Sequence, residues 1–159
     1  MEEIIQKYPL LKDKNVSRET YTDFEKFILL LQKENKKINL ISKETANNNI
    51  IRERHIEDSV QTVDFIDFNN NIITDIGSGG GMPGIIVSII AKNLKNPIKI
   101  HLYEKSHHKC TFLRKVSREL KLNTEIIEKS DNNHVSIIKE SHENIYKSYA
   151  DHKIIIYAS

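Results

Sequence analysis

Asp75-Ile76-Gly77-Ser78-Gly79-Gly80-Gly81-Met82-Pro83-Gly84 is the stretch whose residue types and spacing could do chemistry. All five glycines of the 159-residue chain fall inside it. Gly79, Gly81 and Gly84 match G-x-G-x-x-G, a weak signal by itself. The tighter pattern is an acid, Asp75, followed by glycine at 77, 79 and 81. Glycine reaches positive φ and carries no Cβ, so a ligand can lie against the backbone. A dinucleotide would place its pyrophosphate on the next helix N-terminus. S-adenosylmethionine has no phosphate, but it has an ammonium and a sulfonium that Asp75 would favour. The pattern therefore suits S-adenosylmethionine better than a nicotinamide dinucleotide, with a purely structural glycine turn as the plain alternative. Pro83 suits the first turn of the helix that follows.

Four further groups carry chemistry. Glu104 closes a strand, where an acid in this kind of fold accepts hydrogen bonds from both ribose hydroxyls. Ser130-Asp131 follows another strand. Asp131 could hold an adenine amino group there, or the pair could simply cap a helix. In Arg54-His55-Ile56-Glu57-Asp58-Ser59, Arg54 and Asp58 are i,i+4 helix neighbours, as are His55 and Ser59. Read from the residues alone, this is a surface ion pair beside a satisfied histidine. Arg114, Arg118 and Lys121 recur at i, i+4 and i+7, opposite an apolar stripe, and could meet phosphates. A solvated basic face explains them equally well. Cys110 is expected to be an ordinary thiol.

These groups need elements to position them. Ser17 caps a helix on which Tyr21, Phe24, Phe27, Ile28 and Leu31 repeat at helical spacing to about Asn35. Residues 2–7 predict a helical turn before Pro9, and Asp13-Lys14-Asn15 a loop. Ile38–Ile41 is ambiguous. Ser42 is expected to cap a second helical region burying Ile50, Ile51, Ile56, Val60 and Val63, and Asn69-Asn70-Asn71 to turn the chain. Alternation begins at Ile72: strand 72–76, helix 84–93, a turn at Asn96-Pro97, and a strand through Ile98, Ile100, Leu102 and Tyr103. A helix with Phe112, Leu113, Val116 and Leu120 inward follows, then strand 124–127, a weaker helix over 134–148 and strand 154–157. Such alternation predicts a parallel sheet with right-handed crossovers. The first strand should be central, with a pocket at the carboxyl ends of the first and fourth strands, where the winding reverses.

Composition narrows the classes. The length predicts a single domain over 1–159, with a helical region over 1–68 and the α/β core over 72–159. The longest apolar run, Gly84–Ala91, is too short for a bilayer. No secretory signal is legible at Met1-Glu2-Glu3, so a cytoplasmic place is expected. One cysteine excludes an internal disulfide and a cysteine-built zinc site, and no metal is expected. Net charge is +2, which says little. Its distribution says more: residues 105–121 hold six Lys/Arg and two His against Glu119 alone.

In chain order, the motifs are Asn35-Lys36-Lys37-Ile38-Asn39-Leu40, Arg54-His55-x-x-Asp58-Ser59, Asp75 through Ile85, and Lys109-x-x-Phe112-Leu113. This combination resembles the bacterial 16S rRNA guanine-N7 methyltransferases, the glucose-inhibited division protein B family. The resemblance covers about residues 20–159. It implies a Rossmann-like class I S-adenosylmethionine-dependent methyltransferase fold. It also implies methyl transfer to N7 of a guanine in the 530 loop of 16S rRNA, on the small ribosomal subunit, by a monomer. Asp75, Gly77, Ser78, Gly79, Gly81, Glu104, Ser130 and Asp131 would hold the cofactor, with Asp131 a shortened form of the family's glutamate. His55, Asp58, Ser59, Met82 and Pro83 would face the substrate side, and Lys109, Arg114, Arg118 and Lys121 the RNA. N7 carries a lone pair and no proton, so an acid–base dyad is not required. A nicotinamide-dependent oxidoreductase and a non-catalytic RNA-binding remnant are the rival readings.

Two departures from the family stand out. Glu34 takes the place of a usual tryptophan. The family also continues past the fourth strand with an Arg-Ala motif and three more strands, whereas this sequence stops at Ser159. The expectation is a shortened member, weak or inactive as an enzyme, with a sheet cut after its fourth strand.

Overall fold

The computed structural model describes residues 5–14, 16–66, 68, 72–92, 98–128 and, as backbone, 154–157. Expectations for Asn69-Asn70-Asn71, Asn96-Pro97, Ser130, Asp131 and the 134–148 helix lie outside these residues.

Helix α1, Arg18–Asn35, forms where the apolar spacing predicts it. The Ser17 hydroxyl accepts from Thr20 N at 3.4 Å and caps its start. Tyr21, Phe24, Phe27, Ile28 and Leu31 are all buried. Two expectations for the N-terminal region change. Pro9–Lys14 is a 3-10 helix, so Asp13 and Lys14 are helical rather than loop. Ser42 starts only a 3-10 turn, Lys43–Thr45, without a side-chain cap. The second helical run begins instead at Asn47, whose side chain accepts from Asn49 N at 2.9 Å.

That run, α2, passes from Asn48–Ile50 through a π-helical stretch, Ile51–Glu57, to Asp58–Gln61 and a 3-10 turn, Thr62–Phe65. Ile51, Ile56 and Val60 are buried as expected, while Ile50 and Val63 are only partly so. Such wide turns are uncommon and gather at functional sites.

Strands β1 (Ile72–Ile76), β2 (Lys99–Glu104), β3 (Thr124–Glu128) and β4 (Ile154–Tyr157) form one parallel sheet in the order β3-β2-β1-β4. The chain thus winds outward from β1 through β2 to β3, then returns to the other side of β1. The reversal expected from the sequence is there, and β1 is interior. Helix α3, Gly84–Ala91, is buried along its whole length. It ends two residues short of its expected limit. Helix α4, His107–Leu120, buries Cys110, Phe112, Leu113, Val116 and Leu120. Helix α3 packs on β2, α4 on β2 and β3, and α1 on both helices. Lys92 Nζ, at the end of α3, lies 2.7 Å from Asp23 Oδ2 on α1.

A buried ion pair ties α1 to α2. Arg52 donates through Nε and Nη2 to the two Glu25 oxygens, each at 2.7 Å. The Tyr8 hydroxyl donates to the same carboxylate at 2.7 Å. Burial opposes the Glu25 charge, but the bonds from Arg52 and Tyr8 hold its carboxyl below the usual range. Arg52 is only 7% exposed, so Arg52→Ala would leave Glu25 with a charge and one fewer strong partner. The expected loss is about 2 kcal/mol, below the fully buried case because Glu25 keeps some solvent. A urea midpoint equal to that of the wild type would show that the pair adds nothing.

Candidate functional site

The glycine loop leaves β1 and folds over the end of β2. Gly77 N and Ser78 N both donate to the Tyr103 carbonyl, at 2.9 and 3.0 Å. Gly81 N then donates to Ser78 O at 2.7 Å. Gly77, Gly79 and Gly81 have φ of 80°, 54° and 98°, the left-handed region that favours glycine. A Cβ on Gly81 would also lie 2.7 Å from Ile85 Cγ1.

The loop borders a cleft of about 480 Å³, within the usual range of ligand sites, roughly 300–1,000 Å³. Gly77, Ser78, Gly79, Gly80 and Met82 form one wall, and Glu104, Lys105 and Lys109 another. Leu40, Ile41 and His55 reach it from the N-terminal helices. Among the described residues, then, the cleft lies at the carboxyl ends of β1 and β2.

Glu104 sits at the junction of the two walls. Its Oε2 accepts from Gly79 N at 2.9 Å. Its Oε1 accepts from Lys105 N and Ser106 N at 2.9 and 2.8 Å. One carboxylate thus pins the glycine loop and the β2–α4 turn together. The Ser106 hydroxyl caps α4, accepting from Lys109 N at 3.5 Å, which sets Lys109 in the first turn of α4 beside the cleft. The Cys110 thiol points the other way and donates to Glu104 O at 3.4 Å. Burial pushes its pKa up, as an unreactive thiol requires.

Asp75 does not line the cleft. It is fully buried behind the loop, and its Oδ2 accepts from Gly84 N at 3.0 Å. The acid therefore caps the start of α3 instead of facing the space where a ligand would lie. Pro83 precedes that helix as its cap residue rather than sitting in its first turn. Burial, only partly offset by the Ser78 and Gly84 hydrogen bonds, pushes the Asp75 carboxyl up to about 7. An unfolded aspartate titrates near pH ~3.9. Between these limits the folded protein holds a proton that the unfolded chain has released. The stability from Asp75 is therefore full below about pH 4 and falls as pH rises to about 7. The melting temperature of the wild type relative to Asp75→Asn should decline across that window. A difference that stays flat with pH would contradict the buried, protonated carboxyl.

Of the α2 candidates, only His55 reaches the cleft. Its Nε2 is shielded from solvent and has no hydrogen-bond partner among the described residues. Burial lowers its pKa, against the pull of Asp58 and with the push of Arg54, so the ring is neutral near pH 7. Asp58 is exposed outside the cleft, and the Ser59 hydroxyl turns back to donate to His55 O at 2.5 Å. The His55–Ser59 contact at i,i+4 expected from the sequence is therefore made, through the His55 main-chain carbonyl.

The α4 bases also divide. Arg114 Nη2 lies 3.0 Å from Glu128 Oε2, and His107 Nδ1 lies 2.8 Å from the other oxygen. Those two bonds hold the Glu128 carboxyl below its usual range. Arg118 and Lys121 are exposed, with Lys121 in the left-handed conformation that ends the helix. Among the described residues, no group of His, Cys, Asp or Glu could hold a metal ion. No described helix is long and apolar enough to cross a membrane.

A parallel sheet wound in this order, with a glycine loop after β1 and an acid ending β2, defines a Rossmann-like α/β protein with a nucleotide-type cleft. Within that class, the chain belongs to the GidB family, described as rRNA small subunit methyltransferase G, whose model matches residues 20–151. Among its relatives are proteins named ribosomal RNA small subunit methyltransferase G. One, from Pelagibacter ubique, is 68% identical over 130 residues, covering 82% of this chain and 61% of the relative. One from Orientia tsutsugamushi (strain Ikeda) is 41% identical over 71% of this chain and 54% of the relative. One from Cereibacter sphaeroides (strain ATCC 17029) is 37% identical over 74% of this chain and 56% of the relative. The chain thus spans less than two thirds of the length of these relatives. The family match sets aside the nicotinamide-dependent reading.

Proposed function

We propose that this chain binds S-adenosylmethionine and serves the transfer of its methyl group to N7 of a guanine in the 530 loop of 16S rRNA. The observation that carries the cofactor assignment is Glu104, whose carboxylate closes β2 against the Gly79 N–H at the edge of the cleft. An acid in this place suits the two hydroxyls of a ribose. Gly77, Gly79 and Gly80 border the cleft without side chains, and His55 lines it from the N-terminal region. The residues present therefore fit the group. Gly77, Ser78 and Gly79 would cradle it, Gly81 would shape the loop from its core side against Ile85 and Leu113, and Asp75 would act through Gly84 as a positioning residue. Ser130 and Asp131 remain proposed for the adenine end.

The bound cofactor supplies an electrophilic methyl on a sulfonium. Guanine N7 offers a lone pair with no proton to remove, so the chain's task is alignment. Met82, on the cleft wall, bounds the space where the base would enter, with Pro83 next to it in the chain. Neutral His55 adds no positive charge beside a base that becomes cationic on methylation. Asp58 and Ser59 act through the position of His55. The chain works in the cytoplasm on the small ribosomal subunit, as a monomer and a single domain.

Titration calorimetry and transfer of a labelled methyl group to unmethylated small subunits test this reading. Saturable binding of S-adenosylmethionine is expected, weakened at least tenfold by Gly77→Ala, whose φ of 80° suits glycine. No binding by the wild type would sink the cofactor assignment. Binding without transfer would leave a cofactor- and RNA-binding chain without the activity.

A further inference from the structure

Beside the cofactor cleft lies a second and larger groove, of about 640 Å³, to which no role has yet been given. One wall is the end of α1 and the residues after it: Gln32, Asn35, Lys36 and Lys37. Asn39 and Lys43 come from the following loop and 3-10 turn. We propose that this groove binds RNA phosphates and seats the strand whose base enters the cofactor cleft. The proposal rests on the methyl-transfer reading above and adds the surface that would hold the substrate.

Five observations carry it. Among the described residues no carboxylate lines the groove; apart from Ala46 its lining is lysine, asparagine and glutamine, and the lysine ammonium groups can donate to phosphate oxygens. Lys36 and Lys43 have no ion-pair partner among the described residues, and the nearest pairing of Lys37, to Glu34, is a loose 4.0 Å. The charges converge from two elements. Lysines serving only the negative end of the α1 dipole would sit on α1 alone, whereas Lys43 stands on the 3-10 turn. The groove is also built rather than incidental. Asn35 Oδ1 accepts from Leu40 N and Ile41 N at 2.8 and 3.0 Å, fixing the loop, and Gln32 Nε2 donates to Ala46 O at 2.9 Å.

The fifth observation is position. Leu40 and Ile41 line the cofactor cleft, and Asn39 and Lys43 line the groove. One loop is therefore the partition between them. It rests on the glycine loop itself, since a Cβ on Gly80 would lie 3.1 Å from Leu40 O. A strand held by its phosphates in the groove would turn a splayed base over this partition, the usual way single-stranded RNA is read. On α4, by contrast, Arg114 is already committed to Glu128.

The test is a salt titration of binding to a 530-loop RNA hairpin, run on this chain, on Lys36→Glu/Lys43→Glu and on Arg118→Glu/Lys121→Glu. Binding of S-adenosylmethionine is followed in parallel. The groove variant should bind the hairpin at least tenfold more weakly. Its log–log salt slope should be shallower by about 1.4, at roughly 0.7 per lost phosphate contact on a single strand. Cofactor affinity should not change, because neither lysine lines the cleft. The neutral pair Lys36→Gln/Lys43→Gln should give the same slope change, which separates lost contacts from added repulsion. Unchanged affinity and slope in the groove variant would overturn the proposal, as would an equal loss in the α4 variant, which would mean generic charge attraction. Failure of the wild type to bind the hairpin would overturn it too. Wild-type RNA binding without S-adenosylmethionine binding would instead remove the cofactor assignment, and the slopes would still decide the groove.

Discussion

Gly84→Ala is expected to lower the melting temperature by about 10 °C. The position has no room. An added Cβ would lie 2.4 Å from Asp75 Oδ2 and 2.4 Å from Leu102 Cδ2. Neither neighbour can swing away, since Asp75 and Leu102 are fully buried on adjacent interior strands at paired register positions. The Asp75 oxygen is also the acceptor for Gly84 N, so relieving the clash would break the bond that starts α3. Overpacking of this kind costs about 3 kcal/mol, and each kcal/mol moves the midpoint of a protein this size by roughly 2–4 °C. Gly80→Ala is a graded control. Its Cβ would meet Leu40 O at 3.1 Å and the flexible end of Met82 at 3.2 Å, so its cost should be clearly smaller. Thermal unfolding followed by circular dichroism measures both. A Gly84→Ala midpoint at the wild-type value would mean that β1 and α3 are not packed as described.

The second large effect concerns Glu104. Glu104→Ala is expected to weaken S-adenosylmethionine binding about 100-fold, as loss of two charge-assisted bonds at ~1.5 kcal/mol each implies. The same change leaves Gly79 N, Lys105 N and Ser106 N without the acceptor that now serves all three. A modest fall in stability should therefore accompany the loss of affinity. Glu104→Gln separates the two. It keeps the shape and one acceptor oxygen, enough for Lys105 N and Ser106 N, so the fold should lose less than with alanine while affinity still drops about tenfold. Calorimetry and melting curves on both variants check this. Equal cofactor affinity in wild type and Glu104→Gln would show that Glu104 only braces the loop.

The family was legible because its marks are local. Glycine at alternate positions, Pro83 before a fully apolar run, and Arg54-His55-x-x-Asp58-Ser59 each sit within a few residues. The family match over residues 20–151 agrees with the resemblance drawn from them. The alternation of strands and helices was legible for the same reason, and it gave the winding and the interior place of β1. Element ends were less so. The start of α2 moved from Ser42 to Asn47, because several nearby Ser, Thr and Asn residues can all cap, and packing selects among them.

The candidate site divides along the same line. Glycine torsions and the strand-ending place of Glu104 follow from local chain stiffness and period, so the sequence alone located the cleft's wall. Which way a side chain turns, and whom it meets, depends on groups far along the chain. Asp75 faces Gly84 instead of the cleft because β1 and α3 close on it and the helix start needs an acceptor. Arg114 meets Glu128 because β3 pairs beside β2 under α4. His55 reaches the cleft while Asp58 is exposed outside it and the Ser59 hydroxyl turns back onto the His55 carbonyl, a choice made by how α2 packs. Arg52 finds Glu25, 27 residues away, only when α1 and α2 pack. The sequence by itself determined the fold, the family and the backbone that borders the cleft, all written in short-range torsional and apolar patterns. The tertiary structure alone decided which charged groups are spent on one another and which stay free for a ligand, because that choice is made between residues that only folding brings together.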